Sequence, residues 1–295
     1  MQNDSGFQGR SSNRLLRQCK LALARRIREI NPIAPEIPDY PGYLASLSNN
    51  LLPGITPELY QDEYIAGAGD ELNWSVRNGM RCPPKMQAVH SSSALVVNHF
   101  APWKLDLGRL ALCGSGRFTS LTFEATMPTG LGGTPPHLDF LAQSAADASV
   151  AVESKATEVL REHRAEFAPS YRTLKWPRGI AAYEAVMRRL LEDGSRFRFL
   201  NAAQLIKHAL GLSVRYGESK VVLCYLFWEP MNRDSYREFD LHREEIRQFA
   251  SLVEGCSVNF FSCTYSDLWR EWASHDVVWL RQHAHNLMER YCVSV

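Results

Sequence analysis

The sequence lacks paired cysteines and long hydrophobic runs. Its seven cysteines are scattered along the chain, and no two of them form a CxxC pair. This spacing disfavours a disulfide framework and a structural zinc site. No stretch approaches the roughly 18 consecutive apolar residues of a membrane span, and the polar N-terminus has no signal-peptide core. We therefore expect a protein of the reducing cytoplasm that has no membrane partner.

The signature motifs of several enzyme classes are also absent. The sequence contains no GxxxxGK[ST] phosphate loop, no HExxH zinc motif, no GxSxG nucleophile elbow and no GxGxxG anchored to a strand. His283 and His285 lie on a helical pattern, where residues two apart point to different faces, so they are not expected to bind a metal together. Nucleotide-cradling, zinc-protease and serine-hydrolase chemistries are therefore disfavoured.

The charge of the chain is nearly balanced but unevenly distributed. A formal net charge of +1 at pH 7 argues against overall capture by nucleic acid or membrane. Apolar spacing predicts an amphipathic helix over residues 14–30. The other face of this helix is basic and carries Arg14, Arg17, Lys20, Arg25, Arg26 and Arg28. This face would contact phosphate or an acidic partner, or only solvent. With the proline-rich connector that follows, this helix forms a predicted N-terminal segment, residues 1–60, ahead of a main domain, 61–295.

From Phe118 onwards the pattern predicts strands and helices around one sheet. RFTSLTFEATM, HLDFLAQ and SVAVESK have the composition of three consecutive strands separated by turn-forming residues. The apolar run SKVVLCYLFW predicts a strand buried on both faces, and SVNFFSCTY predicts another strand. Helices are predicted at residues 91–100, 157–167, 180–192, 202–210, 241–253 and 277–291. Such a mixture indicates an α/β or α+β domain.

The stretch DFLAQSAADASVAVESK places charged residues inside two of the predicted strands. Strand periodicity puts Glu153 and Lys155 on the same face. If the turn is centred on Ala146, Asp139 lies opposite Glu153 on the neighbouring strand. Like charges directly opposite one another are destabilising, so this pairing indicates either a cation between the two acids or a protonated acid.

A hard divalent metal ion would satisfy this constraint. Mg²⁺ accepts oxygen ligands from carboxylates, a backbone carbonyl and water, usually with substrate phosphate oxygens. Asp139 and Glu153 are therefore the candidate metal ligands. Lys155 would orient or help to deprotonate a water, or balance charge on a phosphate. The alternative is a structural ion pair of Lys155 with either acid on a solvated sheet face.

These residues resemble the PD-(D/E)xK nuclease superfamily, which has the restriction-endonuclease-like fold. Asp139 matches the acid of its second strand, and Glu153-Ser154-Lys155 matches the (D/E)xK of its third strand. The proline of the superfamily name is displaced, because Leu138 precedes Asp139. A closer resemblance, to bacterial restriction-endonuclease-like proteins, is carried by SSSALVVNHF, FEATMPTGLGGTPPHLDF, VESKATE and YSDLW.

The resemblance implies a fold and a chemistry. The expected fold is α/β, with a restriction-endonuclease-like core, a mixed central β-sheet flanked by helices, and helical N- and C-terminal additions. The expected chemistry is Mg²⁺-dependent hydrolysis of DNA phosphodiester bonds, with Mn²⁺ as a substitute. The two acids would be metal ligands, and the lysine would lie at the nucleophilic water.

Further residues are weaker candidates for the same cluster. Glu124, on the preceding strand, either adds a third carboxylate or is an exposed acid at a strand end. Gln204 lies on a helix after the lysine, where related nucleases often place a glutamine near the metal, but Asn201 and Gln204 also fit a helix capping box. Five basic residues either line a phosphate groove or are ordinary solvated charges on helices: Arg161, Arg164, Arg172, Lys175 and Arg178.

The sequence therefore predicts a metal-dependent DNA endonuclease. One alternative is a non-catalytic nucleic-acid-binding or interaction protein that retains the fold. Another is an enzyme with the same chemistry that acts on RNA or on single-stranded ends. Two-fold-symmetric cleavage of both strands of duplex DNA would require a homodimer, which the sequence does not show.

Overall fold

The computed structural model describes residues 4–67, 70–217 and 219–295. Within these ranges the α-helices are α1 Asp4–Ile30, α2 Gln61–Ala66, α3 Ser92–Phe100, α4 Ser170–Thr173, α5 Ala181–Glu192, α6 Ala202–Tyr216, α7 Arg237–Leu252, α8 Tyr265–Ala273 and α9 Val278–Tyr291. The strands are β1 Ser75–Arg77, β2 Met80–Cys82, β3 Phe118–Thr126, β4 His137–Ser144, β5 Ser149–Lys155, β6 Val221–Phe227 and β7 Val258–Thr264. β1 and β2 form a small antiparallel hairpin, separate from the central sheet.

The central sheet has the strand order β3-β4-β5-β6-β7. β3, β4 and β5 pair antiparallel, whereas β5, β6 and β7 run parallel to one another. Parallel neighbours need a crossover connection, and helices α4 to α6 and then α7 provide these connections. Every residue of β6 is buried, as expected for a strand covered on both faces. The predicted fold class is confirmed: a five-stranded mixed sheet flanked by helices, compatible with a restriction-endonuclease-like core.

Helices cover both faces of the sheet. On one face, Phe100 of α3 packs against Phe140 of β4 with the ring centroids 4.1 Å apart. On the other face, Gln204 of α6 reaches Lys155 at the end of β5. Successive strand residues point to opposite faces, so α6 encloses the charged side chains of β5 rather than leaving them in solvent.

Side-chain caps set the starts of α3 and α8. The hydroxyl of Ser91 accepts a hydrogen bond from the amide of Ala94 at 3.2 Å and caps α3. Thr264 and Asp267 form a reciprocal capping box at the start of α8. α8 was not predicted from the sequence, although the spacing of Thr264 and Asp267 is that of a capping box at a helix start.

One predicted helix is wrong. Residues 157–167 form only a 3-10 turn, Thr157–Leu160, and the chain then becomes irregular and extended. The amide of His163 donates to the carbonyl of Arg198 at 2.7 Å. A backbone donor used in this way is lost to the helical hydrogen-bond ladder, so contact with a distant loop overrides the local helical pattern.

The other predicted helices and strands are confirmed, with shifted ends. α6 continues to Tyr216 rather than ending at residue 210, and α1 extends from Asp4 rather than beginning at residue 14. The short elements α2, α4, β1 and β2 were not predicted. In the described part of the chain, no helix is both long enough and apolar enough to cross a bilayer.

The N-terminal helix packs against the rest of the protein. Leu15, Cys19, Leu23 and Ile27 are buried, and they belong to the same hydrophobic core as the sheet. The predicted basic face is confirmed: exposed Arg14, Arg17, Arg25 and Arg28 with half-buried Lys20 and Arg26. The division between residues 60 and 61 stays a prediction.

Gly211 allows α6 to lie close to the chain that follows β3. A Cβ on Gly211 would be 2.7 Å from both the Cβ and the carbonyl oxygen of buried Met127. We expect Gly211→Ala to lower the free energy of unfolding by about 1–3 kcal/mol, although alanine is the better helix former by about 1 kcal/mol. Urea unfolding measures this change.

Val214→Ala, at an exposed position of the same helix, is the control. It should change the free energy of unfolding by less than about 0.5 kcal/mol. A Gly211→Ala protein as stable as the parent would contradict the close approach.

Candidate active site

The candidate site lies at the open end of the β4–β5 hairpin, where β4 begins and β5 ends. Phe140 pairs with Val152 across this hairpin, which confirms the predicted register. One residue further along the same ladder, Asp139 is opposite Glu153. The hairpin therefore places the two acids predicted to bind a metal ion next to each other.

Glu124 is a third carboxylate in the same row. Ala125 of β3 pairs with Leu138 of β4, which sets Glu124 opposite Asp139. Glu124 has a φ of +49°, in the left-handed region that is unusual for a side chain other than glycine. Burial and the nearby charges of Glu71 and Glu153 raise the pKa of Glu124 to about 7. It is therefore not the exposed strand-end acid of the alternative interpretation.

Asp139 occupies the middle of this row. Its Oδ2 accepts a hydrogen bond from the amide of Ser154 at 2.7 Å, and the residue remains partly accessible to solvent. Burial, followed by the negative charge of Glu153, raises the pKa of Asp139 well above its ordinary value. The second of these causes, repulsion between adjacent carboxylates, is the one that the sequence pattern predicts.

Lys155 supplies part of that compensation. Its Nζ contacts Oε1 of Glu153 and donates a hydrogen bond to Oε1 of Gln204 at 3.0 Å. Burial alone would lower the pKa of Lys155, but the charges of Glu153 and Asp139 outweigh it and raise the pKa. Burial alone would likewise raise the pKa of Glu153, but Lys155 and His208 lower it. These two groups are therefore held as an ammonium and a carboxylate.

Gln204 is both a helix-cap partner and a site residue. Its backbone amide donates to Oδ1 of Asn201 at 3.1 Å, so Asn201 caps α6. Its side chain does not return to the backbone of Asn201 as a capping box would require, but accepts the hydrogen bond from Lys155. The structure therefore brings Gln204 to the predicted cluster.

His208 is a site residue that the sequence analysis missed. Its side chain is 1% exposed, and its Nε2 lies 2.8 Å from Oε2 of Glu153. The contact lacks the alignment of a hydrogen bond, and neither of the two atoms has a hydrogen-bond partner in the described part of the chain. A signal was available, because residues four apart on a helix share a face, and His208 is one turn after Gln204.

Tyr64 also faces this charge. It is buried on α2 and stacks against Phe123 of β3 with ring centroids 6.0 Å apart. Burial, followed by the charges of Glu124 and Asp139, raises its pKa. Its hydroxyl is buried with no hydrogen-bond partner among the described residues. An unpaired buried donor beside acids indicates a polar site rather than a packed core.

The side chains of the site are of the types that bind a hard cation, but their present positions do not form a metal site. Carboxylate oxygens are the ligands that Mg²⁺ prefers, and Oε2 of Glu153 has no hydrogen-bond partner among the residues that the structure describes. However, across residues 4–67, 70–217 and 219–295, no three His, Cys, Asp or Glu side chains are arranged to hold a metal ion. Glu153 in particular faces Lys155 instead.

The predicted basic residues do not line a single groove. Arg161 lines a cavity of about 240 Å³ together with Glu71, Ser92 and Glu158. Arg178 lies next to Gly179, whose carbonyl accepts a hydrogen bond from Ser257, just before the start of β7. Since β5 and β7 run in the same direction, Arg178 is at the opposite end of the sheet from Lys155.

The sheet and the acid–acid–lysine cluster together define a restriction-endonuclease-like protein. A family model described as restriction endonuclease associating with ARP matches residues 43–292. The chain therefore belongs to this family, and the resemblance predicted from the sequence is confirmed. No curated protein and no solved structure matches the chain.

The raised pKa of Asp139 predicts a destabilising charge in the metal-free protein. A carboxyl whose folded pKa exceeds the unfolded value, about 3.9, loses stability as the pH rises above that value. Asp139→Asn removes this charge while its amide oxygen still accepts the bond from Ser154. We expect it to raise the free energy of unfolding at pH 7 by about 1 kcal/mol or more, with the gain vanishing towards pH 4.

Urea unfolding in the presence of a chelator, repeated between pH 4 and pH 8, measures this difference. Asp147→Asn, in the exposed turn of the same hairpin, is the matched control and should have no effect. A gain that does not depend on pH would show that charge is not its cause.

Proposed function

We propose that this protein is a metal-dependent endonuclease that hydrolyses phosphodiester bonds in DNA. The observation that carries this proposal is the row of Glu124, Asp139 and Glu153 across adjacent strands, with Lys155 beside it. Membership of a restriction-endonuclease family supports it. The row lies at the carboxyl end of β5, the edge at which parallel sheets commonly bind ligands.

Asp139 and Glu153, with Glu124 as a third acid, would hold Mg²⁺ or Mn²⁺. The bound ion would polarise the scissile phosphate and lower the pKa of the attacking water. Asp139 is suited to this role because it is partly accessible, and because its raised pKa favours the protonated form, in which a cation could take the place of the proton. Glu153 would exchange its contact with Lys155 for one with the ion.

Lys155 would act as a cation rather than as a base. Its raised pKa keeps the amine protonated at neutral pH, so it can donate to a water or to a phosphoryl oxygen but cannot accept a proton. Of the roles predicted from the sequence, orientation and charge balance are therefore favoured over deprotonation. The amide oxygen of Gln204 holds the ammonium in place.

DNA is the proposed substrate because cationic side chains are available beside the site. Arg161 is exposed on the segment that follows β5, and its side chain makes no ion pair within the described residues. Helix α1 packs on the same segment and exposes its row of arginines. Such contacts attract phosphate without reading sequence. Pairing into a homodimer stays a prediction.

Cleavage of supercoiled plasmid in Mg²⁺ tests the assignment. We expect Lys155→Met and Glu153→Gln each to reduce the rate at least about 100-fold. The first removes the cation at the reacting phosphate, and the second removes a charge that would bind the metal ion. A chelator should abolish cleavage by the parent protein.

Lys220→Met and Glu184→Gln, at surface positions outside the cluster, are the matched controls and should retain full rate. Unchanged cleavage by Lys155→Met would remove the basis of the proposal.

A second candidate function is favoured by the closed contact between Lys155 and Glu153. An internally neutralised pair is what a non-catalytic nucleic-acid-binding protein with this fold would retain. The two functions differ in metal binding, because a structural pair has no need of a cation.

Calorimetric titration with Mn²⁺ at pH 7.5 separates them. For the enzyme we expect saturable binding that Asp139→Asn weakens at least about 10-fold, because one ligand charge is lost. Asp147→Asn again serves as the control. Absence of Mn²⁺ binding in the parent protein would favour the non-catalytic function.

A further inference from the structure

A second cavity, of about 540 Å³, lies between the end of α1, the following connector and α9. None of the residues that line it belongs to the candidate active site. Its walls include apolar residues such as Ile27, Leu51, Leu52 and Ile55. Its polar lining consists of Asn31, Ser48, Asn49, Asn50, Asn286, Arg290 and the exposed Glu289.

Arg290 is the unusual member of this lining. It is 1% exposed. Its Nη2 donates to Oδ1 of Asn50 at 3.0 Å and to the carbonyl oxygen of Val89 at 3.2 Å. Within the described residues its Nε and Nη1 are buried with no hydrogen-bond partner, and no carboxylate forms an ion pair with it. Its guanidinium carbon lies 4.8 Å from the centroid of the Tyr291 ring, a cation–π contact.

These contacts compensate the charge of Arg290 only in part, so the arrangement favours a counter-charge in the cavity. A guanidinium remains protonated in proteins, so burial cannot remove the charge of Arg290. A buried charge without an ionic partner is strongly unfavourable. Neutral acceptors satisfy only one of its three nitrogens. Nε and Nη1 point in different directions, so an anionic oxygen would accept from one of them rather than from both in a fork.

We propose that this cavity binds a small molecule through an anionic oxygen group, a phosphate or a carboxylate, that pairs with Arg290. Amide side chains both donate and accept, so the asparagines would hold the polar remainder of the ligand. The volume lies within the range of small-molecule sites, and apolar walls with a few convergent polar groups are typical of them. The site is independent of the nuclease chemistry.

Thermal unfolding of the full chain tests this proposal. Inorganic phosphate and succinate, each titrated from 0 to about 20 mM against chloride at constant ionic strength, are the two probes. We expect one of them to raise Tm saturably by about 2–4 °C. The responding probe decides between the phosphate and the carboxylate.

Arg290→Met should eliminate the shift, whereas Arg189→Met, at an exposed position outside the cavity, should preserve it. Leu51→Trp fills the cavity without touching the charge and should also eliminate the shift, which keeps the test decisive if Arg290→Met does not fold. A response to neither anion would overturn the proposal. So would a shift that survives Leu51→Trp, because salt stabilisation that does not depend on a site acts on any variant.

Discussion

Repulsion among Glu124, Asp139 and Glu153 is the constraint on which the rest of the site depends. The register of three antiparallel strands leaves these acids side by side, and their surroundings offset the repulsion in several ways. Lys155 contacts Glu153, a backbone amide donates to Asp139, and burial favours the protonated forms of Glu124 and Asp139. An arrangement that needs this much compensation is poorly explained by stability, and it is typical of a site whose chemistry requires concentrated negative charge.

The hairpin at the centre of the site could be predicted because strand geometry leaves few choices. Side chains alternate with a period of two, so a slip of one residue would move Glu153 to the opposite face of β5 and expose its apolar neighbours. The turn residues near Ala146 then determine which residues face each other. β6 was equally predictable, since an unbroken apolar run can only be satisfied by burial on both faces.

The covering of the site by α6 could not be predicted in the same way. Gln204 and His208 are about fifty residues from Glu153 in sequence, and only the packing of α6 on the sheet brings them to it. Local pattern was also misleading for residues 157–167, where bonds to a distant loop replace the helix. In both cases tertiary contacts decide what the sequence alone leaves open.

The contact between Lys155 and Glu153 is compatible with an enzyme and with a non-catalytic protein of the same fold. Three carboxylates face one ammonium, so the pair neutralises Glu153 and leaves Asp139 and Glu124 uncompensated. Burial and repulsion from neighbouring acids raise the pKa of both groups, which favours their protonated forms when no other cation is present. A divalent ion would meet the deficit more completely than one lysine can, and Lys155 would then be free to serve a substrate phosphate. The acids whose pKa values are raised, rather than the acid that is already paired, therefore give the better support to the proposed metal-dependent function.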